Sequence, residues 1–138
     1  MSEIKRPEVE ADGHCFVCGQ SNETGLKAEF TIDRQRQSSH CRLRIAESFQ
    51  GWSGVAHGGI LSSLLDEACV YACLAAGEQF VTAELTVKFR KPVAVDSEIV
   101  VTGQLVDRRR RVWQATSKIE VDGVVHAEAT AKIFPLDR

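Results

Sequence analysis

Residues 58–76, GGILSSLLDEACVYACLAA, carry Leu, Ala and other apolar side chains around almost the whole circumference of a helix, with no proline to interrupt it. A helix of this kind cannot lie on a surface. It must be central, and the rest of the chain must cover it. Gly77 supplies a stop, and Asp66 and Glu67 near the middle argue against a membrane span.

The covering material is strand. Leu26, Ala28, Phe30 and Ile32 alternate with polar neighbours, and Cys41, Leu43 and Ile45 do the same after the polar turn 34–39, which predicts a hairpin of two short strands. Beyond the helix, Val81, Ala83, Leu85, Val87 and Phe89 alternate with Thr82, Glu84, Thr86, Lys88 and Arg90 until Pro92 ends the run. Residues 99–106 form the next strand, with Gly103 as a bulge. Trp113, Ala115, Ser117, Ile119 and Val121 lead into an Asp122-Gly123 turn, and Val125, Ala127, Ala129, Ala131 and Ile133 lead out of it. The expected order is two strands, a long helix and a four-stranded antiparallel meander. One apolar helix and one half-apolar sheet satisfy each other only if the sheet curls around the helix, an α+β architecture for which the small residues Ala127, Ala129 and Ala131 leave room. The sheet still has edges, so dimerisation through them is expected.

With 138 residues, 43% of them hydrophobic, the chain has apolar material for one core, which gives a flexible arm over 1–13 and a single domain over 14–138. Its 17 basic and 19 acidic side chains leave a net charge of -2, so no global field recruits nucleic acid or an anionic membrane. The opening MSEIKRPEVE lacks the apolar core of a secretion signal, and five cysteines, two inside the helix, suit reduced thiols. A cytoplasmic location is therefore expected.

Four glycines fall within FQGWSGVAHGG, residues 49–59, which marks a loop of unusual backbone angles or close approach. The stretch Gly54-Val55-Ala56-His57-Gly58-Gly59, followed by Asp66 nine residues after the histidine and then Glu67-Ala68, resembles the signature of hotdog-fold thioesterases, particularly the PaaI-like branch. His14-Cys15-Phe16-Val17-Cys18-Gly19 and residues 22–26 are similar to a lead-in frequent in that branch, so the likeness covers roughly 14–134. It implies a hotdog fold, a curved antiparallel β-sheet wrapped around one long central α-helix. It also implies an acyl-CoA thioesterase that hydrolyses a thioester to free acid and CoA. The alternative is a non-catalytic hotdog protein that binds or senses acyl-CoA.

If the helix begins at Gly58 or Gly59, Asp66 follows about two turns later on the same face. Unpaired N–H groups at the helix start favour oxygen carrying developing negative charge, and the amides of Gly58 and Gly59 suit an oxyanion hole. The resemblance implies that Asp66 is the catalytic carboxylate, as nucleophile or as general base for water. Geometry alone leaves Glu67 in contention, about 100° further round the helix. His57 either shapes the loop or touches the site. Gln50 is a candidate for orienting water or thioester, although relatives carry an amide six positions before the histidine, where this chain has Gly51. Thr82, ten residues before Pro92, occupies the strand position where similar proteins place a hydroxyl contributed by the partner subunit. Its other reading is an ordinary strand residue on the polar face. The resemblance thus implies a homo-oligomer, dimer or tetramer, with its site at the subunit interface.

Two basic clusters, Arg90-Lys91 and Arg108, Arg109, Arg110 and Arg111, suit the phosphates of coenzyme A or form a solvated hairpin tip. The expected substrate is an acyl-CoA or an acyl-carrier thioester, with no nucleic-acid or membrane partner. Cys15 and Cys18 with neighbouring His14 supply only part of a tetrahedral metal set, which Cys41 or a partner chain would have to complete. The expectation is a packed, reduced loop with no metal and no cofactor.

Overall fold

The computed structural model describes residues 9–77 and 79–136; of the arm expected over 1–13, residues 1–8 lie outside the described residues. In chain order the elements are β1 (Thr31–Asp33), β2 (Ser38–Arg44), a 3-10 turn (Glu47–Phe49), α1 (Gly58–Leu74), β3 (Phe80–Phe89), β4 (Glu98–Asp107), β5 (Trp113–Val121) and β6 (Val124–Pro135). All strand pairs are antiparallel, and one six-stranded sheet runs in the order β1-β2-β4-β5-β6-β3. It curves around α1, which buries Leu61, Leu64, Leu65, Ala68, Cys69, Ala72 and Cys73 against it. This is the hotdog arrangement.

Period-2 alternation identifies strands but not their neighbours, and here the expected meander is wrong. Of the four strands after the helix, only β4, β5 and β6 follow one another in the sheet; β3 lies at the far edge against β6, and β2 takes the place beside β4. The chain between β3 and β4 therefore crosses the molecule. It passes the start of α1, where Val93 is buried and accepts a hydrogen bond from the Ala56 amide, and it bridges Ala94 to Val55 before entering β4. This crossover braces the glycine-rich loop. The first strand is also shorter than expected. Around Leu26 and Ala28 the backbone instead donates to Phe16 and Val17 carbonyls, so this stretch pairs with the N-terminal loop.

Gly103 is not a bulge. It stays in register with both Ser39 and Ser117, and the shift in β4 falls between Leu105 and Asp107. What Gly103 provides is proximity, because a Cβ there would stand 2.1 Å from the Ala68 carbonyl oxygen of α1. Helix and sheet are also tied by two buried hydroxyls. Ser39 Oγ donates to the Ala68 carbonyl at 2.7 Å and Ser117 Oγ to the Leu65 carbonyl at 2.8 Å. Bonding these hydroxyls removes the penalty for burying them. The alanines Ala127, Ala129 and Ala131 are all buried, as their size suggested. At the β5-β6 turn Asp122 and Gly123 both take positive φ, 51° and 77°, the twist that a two-residue hairpin requires.

Candidate active site

The glycine-rich loop is held by its own backbone. Gly51 donates to the Val55 carbonyl, His57 to the Phe49 carbonyl, and the Gln50 side-chain oxygen accepts from the Gly54 amide at 2.8 Å. Gly54 has φ 77°, so glycine is needed at that point of the loop. Gln50 thus shapes the loop with its carbonyl end, while the residue also lines a cavity of about 400 Å³ at the helix start with Phe16, Phe49, His57, Gly59 and Ser63. Gly51 packs against His57, whose Cα and Cδ2 would stand 3.3 Å from an added Cβ.

His57 is the N-cap of α1, and its Nδ1 accepts the Gly59 N–H at 2.8 Å. That bond divides the pair of amides proposed for an oxyanion hole. The Gly59 N–H is spent on the cap, whereas the Gly58 N–H has no partner among the described residues. With the His57 N–H on the Phe49 carbonyl and the Ile60 N–H on the His57 carbonyl, the Gly58 N–H is the helix-start donor left available to an anion among the described residues. His57 thus shapes the helix entry, and it also lines the cavity there.

Thr82 is where the strand pattern breaks. A register shift between Thr82 and Glu84 inserts Ala83 as an extra, exposed residue in β3. Phe80 and Thr82 therefore face the helix before the bulge, and half-buried Leu85 and Val87 after it. Phe89, placed on the apolar face by simple alternation, is exposed. The consequence is a hydrogen bond from Thr82 Oγ1 to Asp66 Oδ1 at 2.5 Å, the length of a charge-assisted O–H···O⁻ bond. The resemblance implied a hydroxyl from the partner subunit; in the single chain, Thr82 reaches its own Asp66. Bulges often re-aim one side chain in this way.

Asp66 and Glu67 face different surroundings. Glu67 turns away from Thr82 toward the N-terminal loop, where Cys15 Sγ donates to its Oε2 at 3.7 Å and the Cys18 thiol lies beside it. Burial raises the Glu67 carboxyl above its usual range, against the lowering effect of both thiols. Burial, reinforced by Glu67, pushes Cys18 up to about 12, and burial beside Cys18 also raises the Tyr71 phenol. The sequence named the two cysteines but not the carboxylate that joins them. The i, i+4 relation of Glu67 to Tyr71 on one helix stripe is the signal that marks the face meeting that loop.

Asp66 is eight residues beyond Gly58, which at 1.5 Å per residue separates them by about 12 Å along the helix axis. Within one chain these groups cannot converge on a single carbonyl as the two-turn spacing suggested. The basic clusters are also apart. Arg90 and Lys91 lie at the Phe89 end of β3 near Gly58, and Arg90 is paired with Glu128 at 2.6 Å. Arg108, Arg109 and Arg110 lie at the opposite end, beside Trp113 and Phe80. Arg109 binds Asp107, which holds that carboxyl down at about 2. Ten residues of strand separate these ends by roughly 30 Å, so one nucleotide cannot meet both clusters of a single chain.

Residues 53–127, which include the capped helix start, Asp66, Thr82 and most of the sheet, match the profile of the Thioesterase superfamily. Among curated proteins, the chain is 26% identical to rat acyl-coenzyme A thioesterase THEM4, over 99% of this chain and 60% of that protein. It is 28% identical to human acyl-coenzyme A thioesterase THEM5, over 67% of this chain and 39% of that protein. The chain spans about half the length of the curated relatives it matches. The same fold occurs in the crystal structure of a thioesterase superfamily protein with a TM-score of 0.81 and 24% identity, covering 88% of this chain and 63% of that one. It also occurs in a hypothetical thioesterase protein from Streptococcus pneumoniae TIGR4 with coenzyme A, with a TM-score of 0.71 and 21% identity, covering 78% and 84% of the two chains. The profile match, which covers more than half of the chain, shows that this chain belongs to the Thioesterase superfamily.

Proposed function

We propose that the protein hydrolyses an acyl-CoA thioester to the free acid and CoA, with Asp66 as the carboxylate that attacks the carbonyl carbon or activates water. The single observation carrying this reading is the Thr82–Asp66 hydrogen bond, which ties a half-buried carboxylate of the helix to the edge strand β3. A bond to one oxygen leaves the other free to act on substrate or water. The Gly58 N–H at the positive end of α1 is the donor for the thioester oxygen as negative charge develops on it.

Because one chain holds these groups about 12 Å apart, the productive pair comes from two chains. β3 is an edge strand of ten residues, bonded to β6 on one side only. A second copy laid antiparallel along that edge sets its Asp66 opposite the Gly58 amide of the first. The acyl chain then runs between the two helices, past the half-buried outer residues Ser63 and Val70. Family likeness supports the thioester chemistry, and the CoA-containing neighbour supports the CoA carrier.

The test is a panel of short, medium, long and aromatic acyl-CoAs assayed for thiol release. Turnover on at least one supports hydrolysis. Saturable binding across the panel without thiol release makes the protein an acyl-CoA binding module instead.

A further inference from the structure

Cys15, Cys18 and Glu67 form a cluster that the proposed hydrolysis does not use. Their ligand atoms all lie within 4.8 Å of one another, although the carboxylate is 52 residues away from Cys15 in sequence. We propose that these three side chains bind one divalent transition-metal ion, zinc by ligand chemistry, that fastens the N-terminal loop to α1.

Three features point to a cation. The first is distance. Two ligands on a tetrahedral zinc, one sulfur at about 2.3 Å and one oxygen at about 2.1 Å, stand about 3.6 Å apart; Cys15 Sγ and Glu67 Oε2 are 3.7 Å apart. The second is the turn that carries the cysteines. The amides of Val17 and Cys18 point at Cys15 Sγ from 3.4 and 3.5 Å, which fixes the position of that sulfur in the turn. Gly19 closes this turn, since a Cβ there would stand 2.4 Å from the Cys15 nitrogen and 2.6 Å from its carbonyl oxygen. The C-x-x-C spacing is thereby fixed in a compact, two-ligand form. The third is the carboxylate, which Cys41, the expected source of a further ligand, does not replace. Cys41 is buried in β2 within the sheet core. A disulfide between Cys15 and Cys18 would gain nothing from a neighbouring carboxylate, whereas a cation needs it.

Three protein ligands leave the fourth position for water. Phe16, between the two cysteines, lines the cavity at the helix start with Gln50, His57 and Gly59, so the ion would fix that wall of the cavity.

The experiment measures metal content of the purified full chain under reducing conditions and titrates the metal-free protein with Co²⁺. The proposal predicts about one zinc per chain and a thiolate-to-cobalt charge-transfer absorption. Cys15→Ser and Cys18→Ser abolish that absorption, and Glu67→Gln weakens cobalt binding by about tenfold or more. Thermal melts establish that each variant is folded; for one that is not, competition between the wild-type protein and a chelating dye of known zinc affinity gives the answer. Wild-type protein with both thiols free but no stoichiometric metal and no absorption overturns the proposal, as does a persistent Cys15–Cys18 disulfide or an unaltered cobalt spectrum in folded Cys18→Ser.

Discussion

Thr82 and Asp66 lie sixteen positions apart, on a strand and on the helix it covers, and are joined by a 2.5 Å hydrogen bond from hydroxyl to carboxylate. The bulge at Ala83 makes the bond possible by turning Thr82 from the outer face to the inner one. If this bond orients the working carboxylate, Thr82→Val lowers kcat by about tenfold to a hundredfold, the value of one charge-assisted hydrogen bond. Thr82→Ser restores most of it. KM stays nearly constant in both, and steady-state thiol release across a substrate titration separates the two parameters.

The proposed sharing of the site between two chains makes a distinctive prediction. Asp66→Asn and Gly58→Val are each nearly inactive as homodimers, the second because a branched side chain covers the helix-start amide. When the two are unfolded, mixed in equal amounts and refolded, half the dimers are mixed and each has one intact site, so about a quarter of wild-type activity returns. A mixture that stays as inactive as its components contradicts the shared site.

The sequence disclosed the central helix, most of the strands and the type of the β5-β6 turn, because each is written in local periodicity or in a dipeptide such as Asp122-Gly123. It did not disclose that β3 pairs with β6, since alternation carries no record of which strand lies beside which. In the candidate site, the HGG spacing marks Asp66 and Gly58. The separation of about 12 Å between them follows from helix rise alone, because two turns on one face give a shared direction and not convergence. The Thr82 bond depends on a single extra residue, Ala83, that the alternating pattern masks. The Cys15, Cys18 and Glu67 cluster needs tertiary contact over 52 residues and has only its C-x-x-C half in local sequence.

Gly103 sets how closely the sheet approaches α1. Gly103→Ala brings a Cβ to 2.1 Å from the Ala68 carbonyl oxygen, a backbone atom that moves only with the helix. The expected cost is about 1–3 kcal/mol or more, as for other overpacked cores. Urea unfolding measures it, and Gly123→Ala, where no atom lies within 4 Å, serves as the comparison that isolates strain at φ 77° from steric overlap.

Buried thiols give the protein a pH dependence at the alkaline end. Burial pushes Cys41 and Cys69 from 9.0 up to about 11 and Cys73 up to about 12. Above pH 9 the unfolded chain loses these protons while the folded chain keeps them. Stability from these groups is therefore complete below about pH 9 and falls as pH rises toward 11–12. The urea midpoint should decline over that window, and Cys69→Ala should decline less steeply. In the metal-free protein a thiol reagent should modify exposed Cys15 quickly and Cys41, Cys69 and Cys73 only on unfolding.

Asp66→Asn tests the central claim most directly. The substitution keeps the size of the side chain and an acceptor for Thr82 while removing the carboxylate. On an acyl-CoA that the wild-type protein hydrolyses, kcat should fall by about 10²–10⁴-fold, the usual contribution of a positioned acid or base, with the melting temperature nearly unchanged. Thiol release at an undiminished rate from folded Asp66→Asn would contradict the account.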